Sequence, residues 1–219
     1  EKAFANEALH DAFINSMIVA SISTLVSTVL GAMLGILLYR FRFPLKGAYE
    51  GMVHLPIVIP EVCMGVALSA FFAAIKMPLG LTTITVSHIA FTIPFVAVVI
   101  RARMAGFDRS LEEAACDLGA GQWQVMRDIT LPYLKPGLIA SAMLAFTLSL
   151  DDFVITFFTS GPGSTTFPIK IYSMVRFSVT PEVNAASTLL IVLTLGVTVV
   201  AMWVQWRGDG GAGARRERA

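Results

Sequence analysis

Glu113-Ala114-Ala115-Cys116-Asp117-Leu118-Gly119 and, beyond a short spacer, Ile129-Thr130-Leu131-Pro132 form the longest polar passage between apolar segments of this chain. Ser110 and Glu113 stand at the spacing of a capping box, in which each side chain closes an open backbone N–H of a first helical turn. Gly119 and Gly121 supply a stop, so the helix is short. Pro132 then marks the start of the next helix, where a missing N–H costs nothing. A short capped helix between two long apolar ones is a shape a second protein can grip. It is equally a solvated loop packed on its own bundle.

Outward from this passage the chain is apolar. Of its 219 residues, 56% are hydrophobic and 14% charged, against roughly 25% charged in soluble domains. The mean hydropathy is +0.74. A net charge of +1 argues against a nucleic-acid partner, which needs a basic surface. Cys63 lies in an apolar segment and Cys116 in the polar passage, so no disulfide framework is expected. Glu1 to Asp11 lacks the basic start of a cleavable signal.

Five segments are long enough to span a bilayer, which takes about 20 residues. They run from about Phe13 to Tyr39, Met52 to Ile75, Thr83 to Ile100, Leu134 to Phe158 and Ala185 to Trp206. Gly31 and Gly35 in the first spell G-x-x-x-G, which permits close helix approach; they also read as ordinary membrane-helix glycines. Pro56 and Pro60 interrupt the second segment, and Pro94 predicts a kink in the third. Lys and Arg favour the cytoplasmic side. Twelve of the sixteen basic residues follow the first and last segments or flank the central passage. The reading is therefore an external start, a cytoplasmic end and a cytoplasmic Glu113 loop. Only Lys2, Lys76, Lys170 and Arg176 fall outside. On that outer side Gly161-Pro162-Gly163 forces a turn. Phe167 to Phe177 is apolar enough to dip into the membrane edge or meet a partner, or the loop simply covers the bundle.

Acids at membrane depth are costly and need a reason. Glu61 follows two prolines, where a broken helix can turn carbonyls toward a cavity. Ser141, Ala145, Ser149, Asp152 and Thr156 step by three or four residues and share one small, polar face. Asp151 points about 100° away. Either these acids are tied to neighbouring helices, or Glu61 and Asp152 line a cation path whose lining includes Ser149, Asp151 and Thr156. No phosphate-binding G-x-x-x-x-G-K-[ST] occurs, so the chain is not expected to hydrolyse ATP. Gly208, Gly210 and Gly213 spell G-x-G-x-x-G after a membrane helix rather than a strand, and read as a flexible basic tail. His10, His54 and His88 lack metal-ligand spacing.

Glu-Ala-Ala, three residues, Gly, nine residues and Ile-x-Leu-Pro resembles the cytoplasmic loop of ABC-importer permeases. Thr147-Leu148-Ser149-Leu150-Asp151-Asp152, Gly161-Pro162, Lys170-Ile171-Tyr172-Ser173-Met174-Val175 and Pro181-Glu182-Val183-Asn184-Ala185 resemble its polyamine (spermidine/putrescine) branch. So do Tyr39-Arg40-Phe41-Arg42-Phe43 and Gly106-Phe107-Asp108. The resemblance runs from about Leu9 to Trp206. It implies an all-α integral membrane protein with the type I ABC-importer permease fold: one domain over 1–206, a coupling loop at about 104–132, and a tail over 207–219. It implies a further transmembrane helix ahead of Glu1. Ser110, Glu113, Ala114, Ala115, Asp117, Leu118, Gly119, Ile129, Leu131 and Pro132 would then couple to a cytoplasmic ATPase that holds ATP and Mg2+. The other implied partners are a second, homologous permease subunit, a periplasmic polyamine-binding protein and the inner-membrane bilayer. A secondary transporter or channel without an ATPase, and a membrane scaffold, are the competing readings.

Overall fold

The computed structural model describes residues 7–177 and 181–216. Among them every regular element is helical. In order these are α1 (Glu7–Arg40), α2 (Lys46–Val58), α3 (Glu61–Ala74), α4 (Leu81–Ala105), α5 (Ser110–Asp117) and α6 (Gln122–Val125). A π-helical turn (Met126–Thr130) leads into α7 (Leu131–Asp151), α8 (Val154–Thr159), α9 (Phe167–Phe177) and α10 (Pro181–Arg216). Among the described residues four stretches are long and apolar enough to cross a membrane: α1, α4, the continuous run 122–151 and residues 183–200 of α10. The pair α2–α3 qualifies only as one segment bent by 106°.

Three expected segments take a different form. The second, expected over Met52 to Ile75, is not a rod. Pro56 sits inside α2, whereas Ile59 is extended ahead of Pro60, as the ring of a following proline requires. The fourth does not begin at Pro132. Its helix begins at Gln122, and the π turn ends just before Leu131-Pro132, so a proline that cannot donate an N–H is absorbed within a continuing helix. That segment also breaks before Phe158: Asp152 is extended, at φ −62 and ψ 125, and α8 starts afresh. The tail expected from residue 207 is helical as far as Arg216, since a nucleated helix propagates at one hydrogen bond per residue. Lys2 and Arg218, used for the orientation, lie outside the described residues.

α1 turns a run of small residues inward and a row of large ones outward. Ser16, Ser23, Ser27, Gly31 and Gly35 are buried, while Ile14, Ile18, Ile22, Leu25 and Val29 are exposed. In lipid this is the favourable sense, because small side chains let backbones approach and apolar ones meet acyl chains. The G-x-x-x-G is such a contact. A Cβ on Gly31 would lie 2.6 Å from Val96 Cβ, and one on Gly35 2.7 Å from the Ala97 carbonyl oxygen. α1, α4 and α7 thereby enclose a core of Ala32, Val96, Ile100, Met104, Leu134 and Ala145.

The two ends of this bundle differ. One carries α5 and α6. At the other, Thr83 of α4 donates to the Thr159 carbonyl at 2.7 Å, and Gly161 packs so tightly on Leu79 that a Cβ would come 2.0 Å from its carbonyl oxygen. Asn15 donates to the Thr165 carbonyl at 3.0 Å, and Ser16 Oγ accepts the Phe167 N–H at 2.8 Å. These bonds seat α9 on α1, with the Phe13 and Phe167 rings edge-to-face at 5.5 Å.

Candidate functional site

At the α5 end, the local chemistry differs from the capping box expected of Ser110 and Glu113. Asp108 Oδ1 accepts the Ser110 N–H at 3.0 Å, so Asp108 closes the first turn and Ser110 is already helical. Glu113 is exposed and makes no cap. The box-like contact occurs one helix later, where Gln124 Oε1 accepts the Gly121 N–H at 2.8 Å. Gly121 thus opens α6 rather than closing α5.

Gly119 ends α5 as expected. It has φ +87; its N–H bonds the Cys116 carbonyl and the Ala120 N–H bonds the Ala115 carbonyl, both at 2.9 Å. That paired pattern is a Schellman end, which needs a left-handed residue at this position. Behind it, the Glu112 carboxylate accepts from both Arg40 and the Thr130 hydroxyl, and Arg40 also donates to Thr130 Oγ1 at 3.2 Å. The last residue of α1, the first turn of α5 and the end of the π turn therefore converge on one carboxylate. Arg103 stacks 4.9 Å from the Tyr133 ring and Arg109 5.2 Å from Tyr39, while Phe107 meets Tyr133 at 4.9 Å.

The outward side of this loop is bare. Leu118 is 90% and Trp123 71% exposed, flanked by exposed Glu113, Ala114 and Asp117. Ala115 is half-buried, Ile129 packs on the core, and Leu131 and Pro132 face out. Beneath lies a cavity of about 850 Å³ bounded by Ile36, Arg40, Met104, Glu112, Trp123 and Met126. α5 is thus anchored from behind and presents an apolar side chain, Leu118, between carboxylates.

Within the membrane segments the acids separate into two environments. Asp152, with Ser149 and Thr156, faces the protein interior. Its carboxylate accepts the Ile155 and Thr156 N–H groups at 3.3 and 2.8 Å and the Thr156 hydroxyl at 2.8 Å. It thereby caps α8, a contact of about 1 kcal/mol in typical hosts. His88 Nε2 lies 3.2 Å from the same carboxylate and 2.9 Å from Thr156 Oγ1. Its Nδ1 meets Ser149 Oγ at 2.7 Å, and Ser149 meets Ser23 of α1 at 3.0 Å. Asp151 and Glu61 are instead exposed. They lie within electrostatic reach of each other, where α3 packs on α8 and Gly65 abuts the Phe158 ring. Asp152 and Glu61, paired in the sequence reading, thus stand on different faces, because the break after Asp151 turns Asp152 into a helix cap.

Sequence reasoning missed Arg40, Glu112 and His88. His88 left a signal: it is an ionisable group at membrane depth, and the argument that singled out Glu61 and Asp152 applies to it equally. Glu112 left none, since only the fold separates it from Glu113.

Residues 27–207 match the family described as the binding-protein-dependent transport system inner membrane component. The chain is 38% identical over 204 residues to the spermidine/putrescine transport system permease protein PotC of Haemophilus influenzae, covering 93% of this chain and 79% of that one. It is 39% identical over 208 residues to the putrescine transport system permease protein PotI of Escherichia coli, covering 92% and 73%. Among solved structures, the MetNI methionine ABC transporter in an inward-facing conformation superposes with a TM-score of 0.77 at 19% identity, covering 91% of this chain and 95% of that one. A bacterial ABC transporter for alginate import gives 0.73 at 18% identity, covering 94% and 82%. The match extends over both the α5–α6 loop and the broken fourth segment, and the chain belongs to the family of inner-membrane permease components of binding-protein-dependent transport systems.

Proposed function

We propose that this chain forms half of the translocation path of an ATP-driven importer for polyamines such as spermidine and putrescine. One observation carries the cargo reading: Glu61 and Asp151 are exposed together where α3 meets α8. Two carboxylates at membrane depth offset the lost hydration of a polycation far more than they would in bulk water. Asp152, Ser149 and Thr156 take the supporting place behind them. The names of the relatives fit this chemistry. A secondary transporter or a scaffold would not belong to a family whose transport depends on a binding protein.

In this reading Leu118, with Glu113 and Asp117 beside it, docks a cytoplasmic ATPase that binds ATP and Mg2+. Arg40, Arg101, Arg103, Arg109 and Arg127 gather at the α5 end, which the positive-inside rule assigns to the cytoplasm. The start of the chain is then periplasmic and its end cytoplasmic. The α9 end meets the periplasmic binding protein, and the exposed faces of α1 and α10 are left for lipid and a second, homologous permease subunit.

Uptake of labelled spermidine and putrescine by the assembled transporter tests the proposal. Asp151→Asn and Glu61→Gln should each raise the concentration for half-maximal uptake, more for spermidine than for putrescine, with normal amounts of protein in the membrane. Wild-type uptake of both cargoes in the two variants rules out the acidic path.

A further inference from the structure

We infer that His88 is a positioning residue: it holds the break in the fourth segment and thereby fixes where Asp151 is presented. The inference rests on the reading of Asp151 as a path residue. Its physical basis is the chain of contacts that runs through the imidazole. His88 belongs to α4 and is 1% exposed. One ring nitrogen reaches Ser149, on α7 before the break, and the other reaches Asp152 and Thr156, at and beyond it. With the proton on Nε2 every member is satisfied. Ser23 donates to Ser149, Ser149 donates to Nδ1, and Nε2–H points at Thr156 and the carboxylate that caps α8.

No other described side chain bonds both sides of the break. α7 ends at Asp151 and α8 begins at Val154, so only Asp152 and Phe153 separate them. Two adjacent acids then take different environments. Asp152 is drawn inward by the His88 and Thr156 contacts, and Asp151, one residue earlier and about 100° round the helix, is left exposed. Without His88, Asp152 keeps its backbone cap, but nothing ties that cap to α4.

The test uses the complete transporter in membrane vesicles, carrying Cys63→Ser, Cys116→Ser and Asp151→Cys. The rate at which a membrane-impermeant thiol reagent labels position 151 is measured with His88 and Thr156 in place and in three variants. His88→Gln keeps an amide near the Nε2 position and should label at the His88 rate. His88→Asn reaches only toward Ser149, and Thr156→Val removes the hydroxyl that links imidazole to carboxylate. Each of these should shift the rate by about tenfold, the size of one buried hydrogen bond. In the Asp151 background the same two changes should raise the half-saturating spermidine concentration, while His88→Gln should not. Equal labelling in all variants overturns the inference, as does no labelling with His88 in place. Failure of His88→Asn and Thr156→Val alike to assemble makes the network purely structural and also overturns it. Normal uptake by Asp151→Asn refutes the path reading alone, and the labelling rates still decide the role of His88.

Discussion

Gly119→Ala isolates the conformational demand at the end of α5, the helix proposed to dock the ATPase. At φ +87 an L-residue pays about 1–2 kcal/mol relative to the right-handed region. Space adds nothing to that cost, since no atom lies within 4 Å of an added Cβ. The penalty corresponds to roughly a 5–30-fold fall in the ratio of formed to unformed Schellman end. Gly121→Ala is the internal control two residues away. Its φ −71 and ψ 160 suit any residue, and the nearest atom to its Cβ, Gln124 Oε1, is 3.8 Å off. Gly119→Asn should fall between, because Asn tolerates the left-handed region. The assay is initial polyamine uptake, with ATPase retained on co-purification, at matched amounts of permease. The order should be wild type equal to Gly121→Ala, then Gly119→Asn, then Gly119→Ala. Indistinguishable uptake by the two alanine variants would refute the claim that the left-handed stop matters for docking.

Three further outcomes are expected. Arg40→Glu and Glu112→Arg should each uncouple hydrolysis from uptake, and the double exchange should restore part of it; a double variant no better than either single shows that the ion pair does not hold α5. Gly35→Val should lower the amount of folded permease, because even a Cβ falls 2.7 Å from the Ala97 carbonyl oxygen and overpacking typically costs about 1–3 kcal/mol; normal melting of the purified complex counts against the tight seam. Topology reporters after Lys46 and near Gln122 should score cytoplasmic, and those after Lys76 and near Ser164 external; a cytoplasmic score at Ser164 reverses the orientation and removes the docking argument.

What could be read in the sequence was whatever depends on local spacing. The apolar segments and the stop at Gly119 follow from residue type and helical period. The helix breaks were harder. Pro60 announces a break, but Pro56, four residues earlier, is absorbed into α2, and the proline ring alone does not distinguish these fates. The break at Asp152 carries no proline or glycine. It depends on a carboxylate that finds both the α8 amides and a histidine 64 positions back in the sequence, at 3.2 Å. Likewise Glu112 and Glu113 are chemically equal, and their different surroundings arise from where α1 ends. Such long-range partners are a property of packing, not of any window along the chain.

The glycine seam between α1 and α4 has a mechanical consequence. Where backbone touches carbonyl with no side chain between, two helices have no slack to slide or tilt against each other. Together with α7 they act as a single keel. α2 buries no residue and is moored to the end of that keel by Arg101 and Glu50, 3.0 Å apart, while almost none of the apolar window of α10 is buried. A displacement of one of these three helices should therefore carry the other two with it. α2 and α10, which bury little against the three, are where such a displacement would be taken up.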